Sequence, residues 1–158
     1  MLLTPHTVVG VAIATAIPNP LIAVPIALVF HFLGDLVPHW DFYSHTKRED
    51  RLEGWRPIAV MGEMAIGVAV GMYFTLHALW VLHNPMLSLN IFLCGIASVL
   101  PDAMTGPSIY IKGIDNIFAI VHKIQHKLQF QAPLPWGLIS QFVVMALCLI
   151  LIASLEGL

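Results

Sequence analysis

The chain has 158 residues, of which 58% are hydrophobic and 10% charged, and its formal net charge is -2. Soluble domains are typically about 45–50% apolar and about 25% charged, and the mean hydropathy here is +0.85, so the composition predicts a single integral-membrane domain over residues 1–158. The seven Lys and Arg residues are too few to build a basic surface, and nucleic-acid binding is therefore not expected.

The first two apolar segments cover residues 4–17 and 21–37. Thr4 is the predicted N-cap of the first helix, with Pro5 at its first position. No Lys or Arg precedes this segment, so a cleaved signal peptide is not expected. Pro38 is predicted to end the second helix, because its ring disfavours helical backbone in the preceding residue and removes a donor.

Three further apolar segments, at residues 57–80, 87–100 and 137–154, follow a polar loop at 42–56. Between the last two, residues 108–135 carry isoleucines at helical spacing interrupted by charges, which predicts an amphipathic helix at the membrane surface or capping the bundle. The predicted fold is therefore an all-α polytopic membrane helical bundle, with about five apolar segments plus an amphipathic interfacial helix.

Threading the five segments up and down places all seven Lys and Arg residues on one side. By the positive-inside rule this side is cytoplasmic, and the expected location is the plasma membrane of a prokaryote. The same threading leaves His77 and His83 on the other side, where we expect them to be dispensable. It brings the remaining candidates together on the cytoplasmic side: His6, His31, Asp35, His39, Asp41, Glu63, Asp102, His122 and His126.

The densest of these candidates lie at the end of the second apolar segment. His31 and Asp35 are four residues apart, so on a helix they lie on one face, one turn from each other. His39 and Asp41 follow in the predicted exit turn. Ionisable residues inside apolar sequence are costly to bury without a partner and are functional by default, so all four are candidate metal ligands.

The other candidates come from four different segments. His122 and His126 are again four apart, and present two imidazoles to one site in the way zinc-binding helices do. His6 begins the first helix and Asp102 ends the fourth segment, and both are further candidate ligands. Glu63 lies two turns inside the third segment and is a candidate ligand, general base or partner that orients a histidine.

These N and O donors exceed what one tetrahedral zinc requires, so we predict two or three divalent ions, zinc foremost. Such sites activate water and stabilise in-line attack on phosphate. The alternative is a non-enzymatic metal- or haem-binding membrane protein, or a transporter. A transporter should carry polar residues along a path to the far side, where the sequence places very few.

The motifs also carry a family resemblance. They are Thr4-Pro5-His6, His31-x3-Asp35-x2-Pro38-His39-x-Asp41, Leu100-Pro101-Asp102 and His122-x3-His126. In these motifs the chain resembles the membrane-bound metal-dependent hydrolases, a family akin to the zinc-dependent phospholipase C proteins. The resemblance implies an all-helical fold whose His and Asp residues bridge divalent metals to cleave phosphoester or related bonds. The expected substrate is a small-molecule or phospholipid phosphoester, with Asp35, Asp41 and Glu63 as the candidate catalytic carboxylates.

Overall fold

The computed structural model describes residues 1–44, 46, 51, 53–106 and 119–156. These residues form an all-helical structure, which confirms the all-α part of the prediction. In chain order the helices are α1 (Leu3–Ala16), α2 (Pro20–Asp35), α3 (Arg56–Trp80), α4 (Pro85–Thr105), α5 (Ala119–Leu128) and α6 (Trp136–Glu156).

Three of these helices, α3, α4 and α6, are long and apolar enough to cross a membrane, and they indicate a membrane protein. Helices α1 and α2 have only 14 and 16 residues. At about 1.5 Å per residue neither reaches the thickness of about 30 Å of hydrocarbon. The five apolar segments predicted from the sequence thus correspond to three candidate spans and two shorter helices.

Helix α1 forms the centre of the bundle and packs against α2, α3, α4 and α6. Apart from His6 and three threonines, its residues are apolar around the whole circumference, which is the pattern of a helix buried on most sides. Close packing depends on glycine at two contacts. A β-carbon at Gly10 would lie 2.7 Å from the Cys94 carbonyl oxygen, and one at Gly71 would lie 3.1 Å from Thr7 Cγ2. Small residues let membrane helices approach closely in this way.

The helices run alternately up and down, as the threading of the sequence predicts. At one end of the bundle the Leu2 amide of α1 donates to Gln141 Oε1 near the start of α6, at 2.9 Å. At the other end Asn90 Nδ2, near the start of α4, donates to the carbonyl oxygens of Ala14 and Ile17 at 2.9 and 2.8 Å. The starts of α1, α3 and α6 and the ends of α2 and α4 therefore share one end, called here the polar end.

The described cations lie at the polar end, and they are Arg51, Arg56, Lys123 and Lys127. Lys47, Arg48 and Lys112 lie outside the described residues. His77 belongs to the last turn of α3, and His83 lies in the turn before α4 with a φ of 50°. Both histidines are therefore at the end of the bundle opposite the polar end, where the threading places them.

Two helix boundaries differ from the sequence predictions. Helix α1 begins at Leu3 with Leu2 as its N-cap residue, so the prediction that Thr4 caps this helix is wrong. Helix α2 ends at Asp35, three residues before Pro38, because its final carbonyl groups accept bonds from the two following amides in a tighter turn.

Candidate metal centre

Three helices bring His6, His31 and Asp102 together at the polar end. One ligand atom from each lies within 4.8 Å of the others, and this group can hold a metal ion. The two imidazole rings are stacked, with centroids 4.2 Å apart, and His31 Nε2 lies 3.6 Å from Asp102 Oδ1. The histidine side chains are 1% and 0% exposed, against 27% for Asp102, so the group opens toward its carboxylate.

The orientation of His31 is fixed by a backbone carbonyl. Its Nδ1 lies 2.8 Å from the Ser98 oxygen, and because a carbonyl oxygen only accepts, Nδ1 carries the proton. The Nε2 lone pair then faces the carboxylates, with Asp35 Oδ2 at 3.7 Å and Asp102 Oδ1 at 3.6 Å. Metal-binding histidines are typically held in this way, with the second ring nitrogen donating to a fixed acceptor.

Asp35 adjoins the group and is itself buried, with 1% of its side chain exposed. Its Oδ1 accepts a bond from the Met1 nitrogen at 2.6 Å and lies 3.3 Å from His6 Nε2. Among the described residues, both His6 nitrogens and Asp35 Oδ2 have no hydrogen-bond partner. Buried polar atoms without partners are costly. A cation bound to one His6 nitrogen and to Asp35 Oδ2 would give two of these atoms a partner, so the residues present fit a metal.

Helix α5 contributes Gln125 to the group, a residue that the sequence analysis did not single out. Its Nε2 donates to Asp102 Oδ1 at 2.6 Å and lies 3.2 Å from His31 Nε2. His122 and His126, predicted to be ligands, lie on the exposed side of α5, and the structure does not bring them to the group. The buried residue of this amphipathic helix is Gln125, which lies between the two histidines in the sequence. The helix packs against α2 and α4.

His39 and Asp41, also predicted as ligands, lie outside the three-residue group. His39 is fully buried in the connection after α2, where its Nδ1 donates to the Val37 oxygen at 2.8 Å and its backbone bridges to Gln131. Burial lowers the pKa of His39, so the ring is neutral. Asp41 Oδ1 accepts from the Tyr43 amide at 2.7 Å, and this carboxylate therefore stabilises a local turn.

Glu63, predicted as a ligand or base, contacts the start of α1. Its Oε1 accepts from the Thr4 amide at 2.7 Å, and its Oε2 accepts from the Leu3 amide at 3.1 Å. These amides are among the helix N–H groups that have no partner within their own helix. The carboxylate also complements the positive end of the helix dipole. Glu63 therefore takes the capping role that the sequence assigned to Thr4.

We expect Glu63→Gln to lower the free energy of unfolding by about 1–2 kcal/mol while leaving metal content unchanged. The amide oxygen can accept from only one of the two α1 amides, and the neutral side chain no longer complements the helix dipole. Thermal unfolding in detergent and elemental analysis measure the two effects. Glu53→Gln, which removes an exposed carboxylate, is the control. Loss of metal from Glu63→Gln would contradict the capping role and indicate that this carboxylate binds the metal.

Comparison of the chain with models of protein families, with curated proteins and with solved structures gives no match. The assignment of a function therefore depends on the donor chemistry of the metal-binding group and on its place in the bundle. Three helices converge on this group, and in the described part of the chain His6 and the adjoining Asp35 Oδ2 keep polar atoms without a hydrogen-bond partner.

Proposed function

We propose that this protein is a membrane metal-dependent hydrolase that cleaves phosphoester bonds, as the resemblance to the membrane-bound metal-dependent hydrolases implies. The observation that supports it is the group formed by His6, His31 and Asp102, buried at the polar end with unpaired donors beside it. Mixed imidazole and carboxylate donors suit zinc and similar divalent ions. Asp35, 3.7 Å from His31 Nε2, extends the donor set toward the two or three ions that the sequence predicts.

Each residue at the site has a separate role in the proposed hydrolysis. A bound divalent ion would supply water of lowered pKa and polarise a phosphoryl oxygen. Asp102 is the most exposed member, so substrate reaches the group on its side, and Gln125 holds that carboxylate through its amide. Asp35 Oδ2, unpaired among the described residues, is placed to accept a hydrogen bond from water held at the site.

The place of the group suggests which phosphoester is cleaved. It lies at the end of the bundle that carries the described cations, so by the positive-inside rule it faces the cytoplasm. For a prokaryotic protein the membrane is then the plasma membrane. A group at the end of the candidate spans lies at the depth of lipid headgroups. A phospholipid headgroup is therefore the favoured substrate.

Two observations count against the non-enzymatic alternatives. The His6 and His31 rings stack at 4.2 Å, which leaves no room for a haem between them. A transporter needs polar groups along its path that are free to contact its cargo. The buried polar side chains toward the far end are neutral and donate to backbone oxygens; they are Thr75, Ser88 and Asn90. Among the described buried residues, the His and Asp side chains all lie at the polar end.

Chelation is the direct test of the proposed activity. Protein purified in detergent should contain zinc or a similar divalent ion by elemental analysis. It should hydrolyse phosphoesters from a panel of nitrophenyl phosphates, nucleotides and phospholipids. Treatment with a chelator should abolish the activity, and added metal should restore it. Metal-loaded protein that is inert toward the whole panel would instead favour a binding role.

A further inference from the structure

An apolar groove of about 270 Å³ runs between α3 and α4, with the start of α1 as its floor at one end. Residues 64–75 of α3 and 91–103 of α4 line its two walls, and Leu3 and Thr7 line the floor. The hydroxyl groups of the lining threonines bond to their own helices, Thr7 to the Leu3 oxygen and Thr75 to the Gly71 oxygen. The hydroxyl protons of the lining threonines are thus already used, and the described lining contains no charged side chain.

The groove ends beside the metal-binding group. Thr7 directly follows His6 in the chain, and Ala103, at the same end of the groove, directly follows Asp102. Asp102 is also the member through which the group opens, with 27% of its side chain exposed. A molecule lying in the groove therefore has one end next to the most accessible metal ligand.

The length of the groove matches one leaflet of a bilayer. The α4 wall spans residues 91–103, which is about 18 Å at about 1.5 Å per residue. One leaflet is about 15 Å deep, half of the hydrocarbon thickness of about 30 Å. A single hydrocarbon chain that ends at a headgroup therefore matches the groove in length, and the metal-binding group at one end of the groove favours a lipid as its occupant.

We propose that this groove binds one hydrocarbon chain of a lipid phosphoester and holds its headgroup at His6, His31 and Asp102. The proposal rests on the proposed function for the identity of the headgroup, but the binding site for the hydrocarbon chain follows from the groove itself. Both walls belong to helices that are candidate membrane spans. Exposed apolar residues such as Val68 and Phe92 continue the groove into the outer surface, so a chain enters sideways from the bilayer.

Glycine positions supply a matched pair of variants. A β-carbon at Gly95, in the α4 wall, would meet no atom within 4 Å, and the same holds for Gly62, which is on α3 but outside the groove. Phenylalanine at position 95 therefore fills the groove without a clash at its β-carbon. Phenylalanine at position 62 adds the same apolar bulk to the exposed surface.

The test is photo-crosslinking with a monoacyl glycerophosphate that carries a diazirine in the middle of its acyl chain. The probe is bound to the purified protein in detergent, and the adducts are mapped by mass spectrometry. We expect adducts to concentrate on residues 64–75 and 91–103. Gly95→Phe should lower their yield about tenfold, because the chain loses its buried contacts, while Gly62→Phe should leave the yield unchanged. If Gly95→Phe does not fold, Val68→Phe fills the groove from the α3 wall.

Several outcomes overturn the proposal. Adducts spread evenly over the apolar faces of α3, α4 and α6, or equal yields for Gly95→Phe and Gly62→Phe, would show nonspecific contact with the micelle. A change from dimer to monomer in Gly95→Phe, with no adducts in the groove, would assign the surface to a second copy. The readout needs no hydrolysis, so groove adducts on metal-loaded protein that is inert toward the whole phosphoester panel would support the groove as a site for a hydrocarbon chain and reject only the proposed function.

Discussion

Alanine in place of His31 is expected to weaken metal binding by more than about 100-fold, since even residues that only orient a ligand typically contribute 10–100-fold. His31 is fully buried, and its protonated Nδ1 is held by the Ser98 oxygen so that Nε2 faces Asp35 and Asp102. Alanine removes this central nitrogen and leaves His6 and Asp102 as the remaining members of the group.

The metal content of purified protein, measured with competing chelators of known affinity, gives the size of the effect. His77→Ala and His83→Ala are the matched controls, because both histidines lie at the opposite end of the bundle. A zinc–imidazole bond is about 2.0–2.1 Å long, so neither ring can share the site. Full occupancy in His31→Ala would remove this residue from the ligand set. Metal loss from either control would contradict the up-and-down arrangement of the helices.

The convergence of His6, His31 and Asp102 follows from simple features of the sequence. Hydropathy defines where the segments lie, and alternation of their direction brings the start of α1 to the ends of α2 and α4. The helical spacing of His31 and Asp35 then places two donors on one face. These arguments need no knowledge of side-chain packing, and the described contacts agree with them.

The roles of Glu63 and Gln125 could not be predicted in this way. A glutamate in an apolar helix has the same sequence signature whether it binds a metal or caps a neighbouring helix. Only the position of the Leu3 and Thr4 amides decides between the two. Gln125 is a neutral amide on a short amphipathic helix, where polar residues are expected on the surface. Its burial depends on the rotation of α5 about its own axis, which packing against α2 and α4 determines.

Rotation of α5 can be tested by exchanging its polar residues. We expect Gln125→Leu to weaken metal binding about 10–100-fold, the range found for residues that position a metal ligand. Its Nε2 holds Asp102 Oδ1 at 2.6 Å and contacts His31 Nε2 at 3.2 Å, and leucine fills a similar volume without either contact. The double variant His122→Ala/His126→Ala should keep the parent affinity, because both rings are exposed.

Chelator competition on these two variants and on Gln129→Leu measures the prediction. Gln129 follows α5 directly and is only partly buried, so the same exchange there controls for the change from amide to leucine. The histidine spacing of the sequence predicts the reverse order, with the double histidine variant losing metal and Gln125→Leu retaining it. That result would mean that α5 turns its histidines toward Asp102 when metal binds, and it would restore His122 and His126 to the ligand set.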